Sequence, residues 1–96
     1  GNLLDYEDIK IFGEKIINKK TGKELFLTTL EKNILILLID KKKTEKIYLL
    51  ENILKLKKDT ETKTIESHLT RIRKKLLSVN SDIEIVSREN KVFLVN

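Results

Sequence analysis

The segment from residue 60 to residue 76 repeats apolar and polar positions with the period of an α-helix. Its apolar members recur at intervals of four, three and four residues and share one face; they are Ile65, Leu69, Ile72 and Leu76. At about 100° per residue, the opposite face is polar and cationic. That face carries Lys63, Ser67, Thr70, Arg71 and Lys74. The pattern predicts a helix over about residues 62–77 that buries one side and offers the other to a polyanion.

Shorter patterns before this helix predict three strands and two further helices. Alternating or β-branched runs predict strands at residues 9–12, 15–18 and 24–27, the last after a turn at Thr21-Gly22. The spacing Thr28-x-x-Glu31 is a capping box, which begins a helix that should end near Ile39. A second helix is predicted over about residues 44–54. The side chains expected to face the core are Leu30, Ile34, Leu37 and Leu38 in the first helix and Ile47, Leu50, Ile53 and Leu54 in the second.

After the helix at about residues 62–77, called the basic helix below, the chain is predicted to end in a β-hairpin. Apolar runs at residues 83–86 and 92–95 predict two strands, joined by residues 88–91. The order of three strands, three helices and two strands indicates an α+β fold, and 96 residues suit a single domain. Because Gly1 stands first instead of Met, we expect a fragment of a longer protein, with residues 1–8 as a tag or linker.

Charge and composition narrow the classes of function. The formal net charge is +5, and residues 55–80 carry all of it, with eight Lys/Arg and three acids. This asymmetry favours a polyanionic partner. The chain has no cysteine, which excludes disulfides and thiolate metal sites and suits the cytoplasm. One histidine and no nucleophile–base pair argue against a metal, a cofactor or an enzyme. The longest apolar run, residues 34–39, is too short to cross a membrane.

Three motifs along the chain occur together in one known family. Residues 27–31 match the pattern LTxxE, residues 64–76 match TVDxHIxxLRxKL, and residues 86–88 match Val-x-Arg. Together they resemble the C-terminal winged-helix effector domain of OmpR/PhoB-type response regulators. The resemblance implies a winged helix-turn-helix with an N-terminal antiparallel sheet, three helices and a C-terminal β-hairpin wing. It also implies sequence-specific binding of double-stranded DNA by a two-component transcription regulator. RNA polymerase contact through the 55–61 loop and a receiver domain in the full-length chain are further implications.

The predicted wing departs from the pattern of that family. Where the family usually has RGxGY, this chain has Arg88-Glu89-Asn90-Lys91-Val92, without the glycines or the tyrosine. The family's tryptophan at the end of the second helix is also replaced by a leucine. These departures leave an alternative open, namely a degenerate winged-helix module that binds a protein partner through its basic face.

The resemblance assigns DNA contacts to the outer face of the basic helix. Arg71 takes the base-reading position, where its planar fork suits guanine O6 and N7. No acid lies three or four residues from Arg71, so we expect its guanidinium to be unpaired. Contacts to the phosphates, which set the register, are expected from Lys63, Thr64, Ser67, Thr70 and Lys74. Alternatively, Ser67 and Thr70 lie near bases, and Arg71 is a solvated surface arginine.

Three further candidates for DNA contact have a structural alternative. His68 either touches the DNA backbone or packs half-buried on the flank of the helix. Arg73 either bonds a phosphate or pairs internally with an acid such as Glu66. Arg88 either reaches the DNA or remains a surface side chain at the tip of the hairpin. Lys75, by contrast, is expected to be solvated.

Overall fold

An antiparallel sheet of four strands forms the N-terminal part of the protein. The computed structural model describes residues 3–55 and 63–96. The strands are β1 (Leu3–Tyr6), β2 (Ile9–Phe12), β3 (Lys15–Asn18) and β4 (Glu24–Phe26), and they pair in sequence order. The strand predictions at residues 9–12 and 15–18 are confirmed, and β4 ends one residue earlier than predicted. The strand prediction missed β1, which lies within the segment expected to be a tag or linker and pairs along its whole length with β2.

The first helix begins with the predicted capping box. In α1 (Thr29–Lys41), the Thr28 hydroxyl accepts from the Glu31 amide at 3.1 Å, and the Glu31 carboxylate accepts from the Thr28 amide at 2.8 Å. The helix is capped at its C-terminal end by Lys42, whose φ of 68° is left-handed and whose amide donates to the Leu38 carbonyl. The cap satisfies backbone groups that the first turn leaves without partners.

The prediction of the inward face of α1 is only partly confirmed. Ile34 and Leu38 are buried as expected, but Leu30 is 37% exposed and Leu37 is half-buried. The other buried side chains of α1 are those of Glu31, Leu35 and Ile39. The reason is that residues 34–39 are apolar all round the helix, so periodicity cannot select a face and the packing against other elements decides it.

The second helix is shorter than predicted because a strand occupies its expected start. Thr44 lies in β5 (Lys43–Glu45), opposite Val92, and α2 (Lys46–Asn52) follows directly. The chain then leaves the helix, with the amides of Ile53 and Leu54 both bonded to the Leu49 carbonyl. Leu50 is buried as predicted. Leu49 is also buried, whereas the other predicted side chains, Ile47, Ile53 and Leu54, are half-buried against the core.

The basic helix and the terminal hairpin complete the fold. Helix α3 (Lys63–Ser78) buries its predicted apolar stripe with no residue more than 1% exposed. Strands β6 (Glu84–Arg88) and β7 (Lys91–Val95) form the hairpin, and β7 lies between β5 and β6 in a three-stranded sheet. Glu89 and Asn90 turn the chain with φ of 51° and 64°. Two consecutive left-handed residues match a type I′ turn, so the hairpin closes without glycine.

One hydrophobic core joins the two sheets and the three helices. It includes side chains from β2, β3, all three helices and both hairpin strands. The buried side chain of Asn18 ties β3 to the end of α3 by donating to the carbonyls of Val79 and Asn80. Over residues 3–55 and 63–96, the protein is therefore an α+β fold with three helices and two antiparallel sheets. Among the described residues, no helix is long and apolar enough to span a membrane.

Candidate functional site

The outer face of α3 is exposed, opposite the stripe that anchors the helix in the core. Four of the predicted contact residues project from it to solvent, and they are Ser67, Thr70, Arg71 and Lys74. Thr64 lies near the helix start and is half-buried. Lys63 is the first residue of α3, but its side chain lies outside the described part of the structure. The fold thus brings most of the predicted set onto one surface.

Arg71 lies at the centre of this surface and is less isolated than the sequence indicated. Its side chain is 55% exposed, and its Nε lies 4.0 Å from Oε2 of Glu31 on α1. Its Nη2 lies 3.4 Å from Nδ1 of His68, one turn earlier on α3. The expectation of an unpaired guanidinium is therefore wrong. It considered acids on the same helix only, and the acid comes from a different helix.

Glu31 is a buried carboxylate directly beneath the surface of α3. Its side chain is 2% exposed, and its Oε1 accepts from Lys75 Nζ at 2.6 Å as well as from the capping amide of Thr28. Burial alone would raise the pKa of Glu31, but the hydrogen bonds from Lys75 and Thr28 and the charge of Lys75 outweigh it and hold the pKa below its ordinary value. Glu31 therefore stays ionised at neutral pH.

The prediction that Lys75 is solvated is wrong. Besides the ion pair with Glu31, its ammonium donates to the Phe26 carbonyl at 2.9 Å, so the side chain connects α3 to both α1 and the end of β4. A buried carboxylate needs a cation or hydrogen-bond donors, and Lys75 supplies both. The sequence could not show this contact, because the acid opposite Lys75 comes from a different helix.

Arg73 takes the structural alternative that the sequence left open. Its Nε donates to the Ile85 carbonyl at 2.8 Å and its Nη2 donates to the Ser87 hydroxyl at 2.9 Å, both on strand β6. Its Nη1 lies 3.3 Å from Oε1 of Glu66, the acid named as its internal partner. The guanidinium fork thus joins α3 to the hairpin, and little of it is left for an external ligand.

Glu66 is a second acid on which cationic side chains converge, in this case from α2 and from α3 itself. Its Oε2 lies 3.1 Å from Lys46 Nζ at the start of α2 and accepts from the Ser87 hydroxyl at 2.6 Å. Burial would raise the pKa of Glu66, but hydrogen bonds from Ser87, Lys46 and Arg73 hold it below its ordinary value. Sequence reasoning missed Lys46 and Ser87, because they reach Glu66 from other elements. The seven-residue spacing of Glu66 and Arg73, two helical turns, was the one available signal.

The cations of α3 therefore divide into two groups. Arg73 and Lys75 are bound to acids and carbonyls of the protein itself. Arg71 and Lys74 point outward, and within residues 3–55 and 63–96 the structure gives Lys74 no hydrogen bond or ion pair. The formal charge of the helix overstates the positive charge that it offers to a ligand, since two of the four cations whose side chains the structure describes are already bound to acids of the protein.

The hairpin carries one more of the predicted contact residues, Arg88. Arg88 ends β6, is exposed, and lies over the Phe93 ring with its guanidinium carbon 5.6 Å from the ring centroid.

His68 is half-buried, which suits the packing alternative, although it also contacts Arg71 on the exposed face. The predicted polymerase-contact loop at residues 55–61 lies outside the described residues except for Lys55.

The described residues contain no cluster of three or more His, Cys, Asp or Glu side chains that could hold a metal ion. The chain matches no protein-family model, no curated protein and no solved structure.

Proposed function

We propose that this domain is a winged-helix module that binds duplex DNA in a sequence-specific manner. In this proposal α3 enters the major groove and the β6–β7 hairpin is the wing. The observation that carries it is the division of α3 into a wholly buried apolar stripe and an exposed face of hydroxyl and cationic side chains. A major groove about 12 Å wide admits one α-helix, and such a face meets both base edges and phosphates.

The roles within the exposed face follow from the reach and chemistry of each side chain. Arg71 is central and retains exposed donors, which suits it to read guanine O6 and N7. Lys74 is an exposed point charge, which suits a phosphate. Thr70 and Ser67 carry hydroxyls that bond either bases or phosphates. Arg73 holds the helix and the wing together and contacts DNA only as a secondary role.

The wing contributes through its position more than its sequence. Arg88 lies at the end of β6, where the family resemblance places a contact to the DNA backbone or minor groove. The left-handed turn at Glu89 and Asn90 supports a tight hairpin despite the absent glycines. The same resemblance motivates the wider proposal of a cytoplasmic two-component transcription regulator with a receiver domain and an RNA polymerase contact near residues 55–61.

Fluorescence anisotropy on AT-rich and mixed-sequence duplexes across a salt series tests the proposal. Binding should weaken steeply with salt, because bound lysines and arginines release counterions from the DNA. Lys74→Ala should weaken binding to every duplex about equally and lower the salt slope by about one unit. Lys10→Ala is the matched control, because Lys10 lies between the buried Ile9 and Ile11 and so points to the outer side of the N-terminal sheet; it should retain the wild-type slope.

Binding-site selection at fixed salt tests the role of Arg71. Arg71→Ala should relax the preference at one base pair, worth about 1–3 kcal/mol, more than it lowers non-specific affinity. Arg71→Lys should restore affinity but not preference, because lysine lacks the planar fork. Equal stringency in all three proteins would show that Arg71 reads no base. Absence of salt-dependent binding to any duplex would contradict the proposal and favour a protein partner with an acidic surface.

A further inference from the structure

A single buried carboxylate faces two cations of α3 that are one helical turn apart. Glu31 projects from α1, is 2% exposed, and lies 2.6 Å from Lys75 Nζ and 4.0 Å from Arg71 Nε. Its two oxygens divide these partners. Oε1 is occupied by Lys75 and the Thr28 amide, whereas Oε2 lies nearest to Arg71. The second oxygen therefore directs its negative charge at the side chain proposed to read bases.

This arrangement orients the Arg71 guanidinium from two sides. Nε faces Oε2 of Glu31, and Nη2 faces Nδ1 of His68. Arginine nitrogens only donate, so a hydrogen bond between the two groups uses Nδ1 of His68 as the acceptor. Within the described residues, the structure gives Nη1 no partner, and the side chain remains 55% exposed. The guanidinium is therefore held at Nε and at one hydrogen of Nη2, which leaves Nη1 and the second Nη2 hydrogen for a ligand.

Orientation matters here because arginine is a long side chain with large rotamer entropy. Ordering such a side chain on binding costs affinity, and a group already held in the required direction avoids part of that cost. The field of Glu31 acts from a site shielded from water, where a charge is screened less than at the surface. Oε2 of Glu31 at 4.0 Å attracts Arg71 without a direct hydrogen bond that DNA would have to break.

We propose that Glu31 is a positioning residue for specificity, which directs Arg71 toward the base edges without touching DNA itself. The inference rests on the proposed DNA-binding function of α3. In this proposal Glu31 both caps the start of α1 and orients Arg71. Lys75 weakens the attraction between Glu31 and Arg71, because it neutralises part of the charge of the Glu31 carboxylate.

The principal variant is Glu31→Gln, which removes the charge but retains the shape and the capping acceptor, since both Glu and Gln serve in capping boxes. The first readout is the Arg71 Nε–Hε NMR resonance in the free protein. In Glu31→Gln this resonance should move toward that of free arginine. In Lys75→Gln it should move in the opposite direction, because Glu31 then has Arg71 as its principal cation. Thr28→Ala is the control, since it weakens the same cap and leaves the carboxylate charged.

The second readout is discrimination between the selected DNA site and a variant with one altered base pair. A bidentate arginine contact provides about 5–150-fold discrimination. Glu31→Gln should lose at least about fivefold of that ratio, with the salt slope unchanged because Glu31 meets no phosphate. A purely structural role would lower the stability of Glu31→Gln and Thr28→Ala alike and leave the resonance and the ratio unmoved.

The outcomes separate the inference from the function on which it rests. An Arg71 resonance that is unchanged in both Glu31→Gln and Lys75→Gln overturns the inference. The NMR measurement needs no DNA. If Glu31→Gln fails to fold, an unchanged Arg71 resonance in Lys75→Gln overturns the inference by itself. If the resonances move as expected but the discrimination ratio is that of the wild type, the positioning role is also overturned. If the wild-type protein binds no duplex at any salt concentration, the proposed function itself fails.

Discussion

The guanidinium of Arg73 gives the sharpest test of how α3 is held against the hairpin. Replacing Arg73 by Met keeps most of the aliphatic volume and removes all the donors. The lost contacts are those to the Ile85 carbonyl at 2.8 Å, to the Ser87 hydroxyl at 2.9 Å and to Glu66 at 3.3 Å. The side chain is 30% exposed, so water replaces only part of what is lost.

The expected cost follows from these three contacts. The hydrogen bonds to Ile85 and Ser87 should contribute about 1 kcal/mol each. The ion pair with Glu66 is open to solvent and should add between about 0 and 1 kcal/mol. The free energy of unfolding should therefore fall by about 2–3 kcal/mol in Arg73→Met, and for a domain of this size Tm should fall by roughly 8–24 °C.

Urea denaturation followed by circular dichroism measures the change, with Lys74→Met as the matched control. Lys74 neighbours Arg73 on the same helix and is exposed, so its replacement should change stability by less than about 0.5 kcal/mol. Arg73→Lys retains the charge but not the fork, and it should recover less than half of the loss. A double-mutant cycle with Glu66→Gln isolates the energy of that pair.

The reasoning is refuted if Arg73→Met is as stable as the Lys74→Met control. The salt dependence of DNA binding then decides what Arg73 does instead. A slope lowered by about one unit in Arg73→Met would make Arg73 a phosphate ligand. We expect the opposite pattern, with a large loss of stability and a salt slope close to that of the wild type.

Two further predictions concern the hairpin turn and the buried acids. Replacing Glu89-Asn90 by Asn-Gly should raise the free energy of unfolding by about 0.5–1 kcal/mol, because both positions have positive φ and Asn-Gly is the preferred type I′ pair. An unchanged urea midpoint would show that the turn carries no strain. Glu31 and Glu66 have pKa values held below the ordinary 4.5, so the stability that they contribute is complete above that pH and is lost as the pH falls through their folded values. Urea midpoints measured across this range should decline less steeply in Glu66→Gln than in the wild type, and parallel declines would contradict the assignment.

Local patterns were sufficient to predict the elements whose signals are contained in a few neighbouring residues. The stripe on α3 was read correctly because its apolar side chains alternate with polar ones at helical period, which defines a single face. The capping box was read correctly because both of its partners lie within one turn. In each case the sequence signal and the structural contact have the same short range.

The features that sequence reasoning missed depend on distant parts of the chain. Strand β5 has the sequence Lys-Thr-Glu, without apolar alternation, and it is extended because it pairs with β7 about fifty residues later. The partners of Glu31 on α3 lie some forty residues away, so no spacing rule could assign Arg71 and Lys75 to it. The sequence named the Glu66–Arg73 pair as one alternative, because both residues lie on α3, but it could not show the contacts of Arg73 to β6 or of Lys75 to α1.

The central place of β7 in its sheet has a consequence for the order of folding. Strands β5 and β6 are neighbours of β7 and not of each other, and β7 follows both in the sequence. During synthesis, β5 and β6 therefore cannot pair until residues 91–95 are made, whereas the four N-terminal strands pair only with their sequence neighbours. We expect the N-terminal sheet to gain structure first, and the emergence of β7 to allow the hairpin to form and pack against α3. A ribosome-stalled chain ending before β7 should accordingly leave β5 without its ladder and α3 incompletely packed.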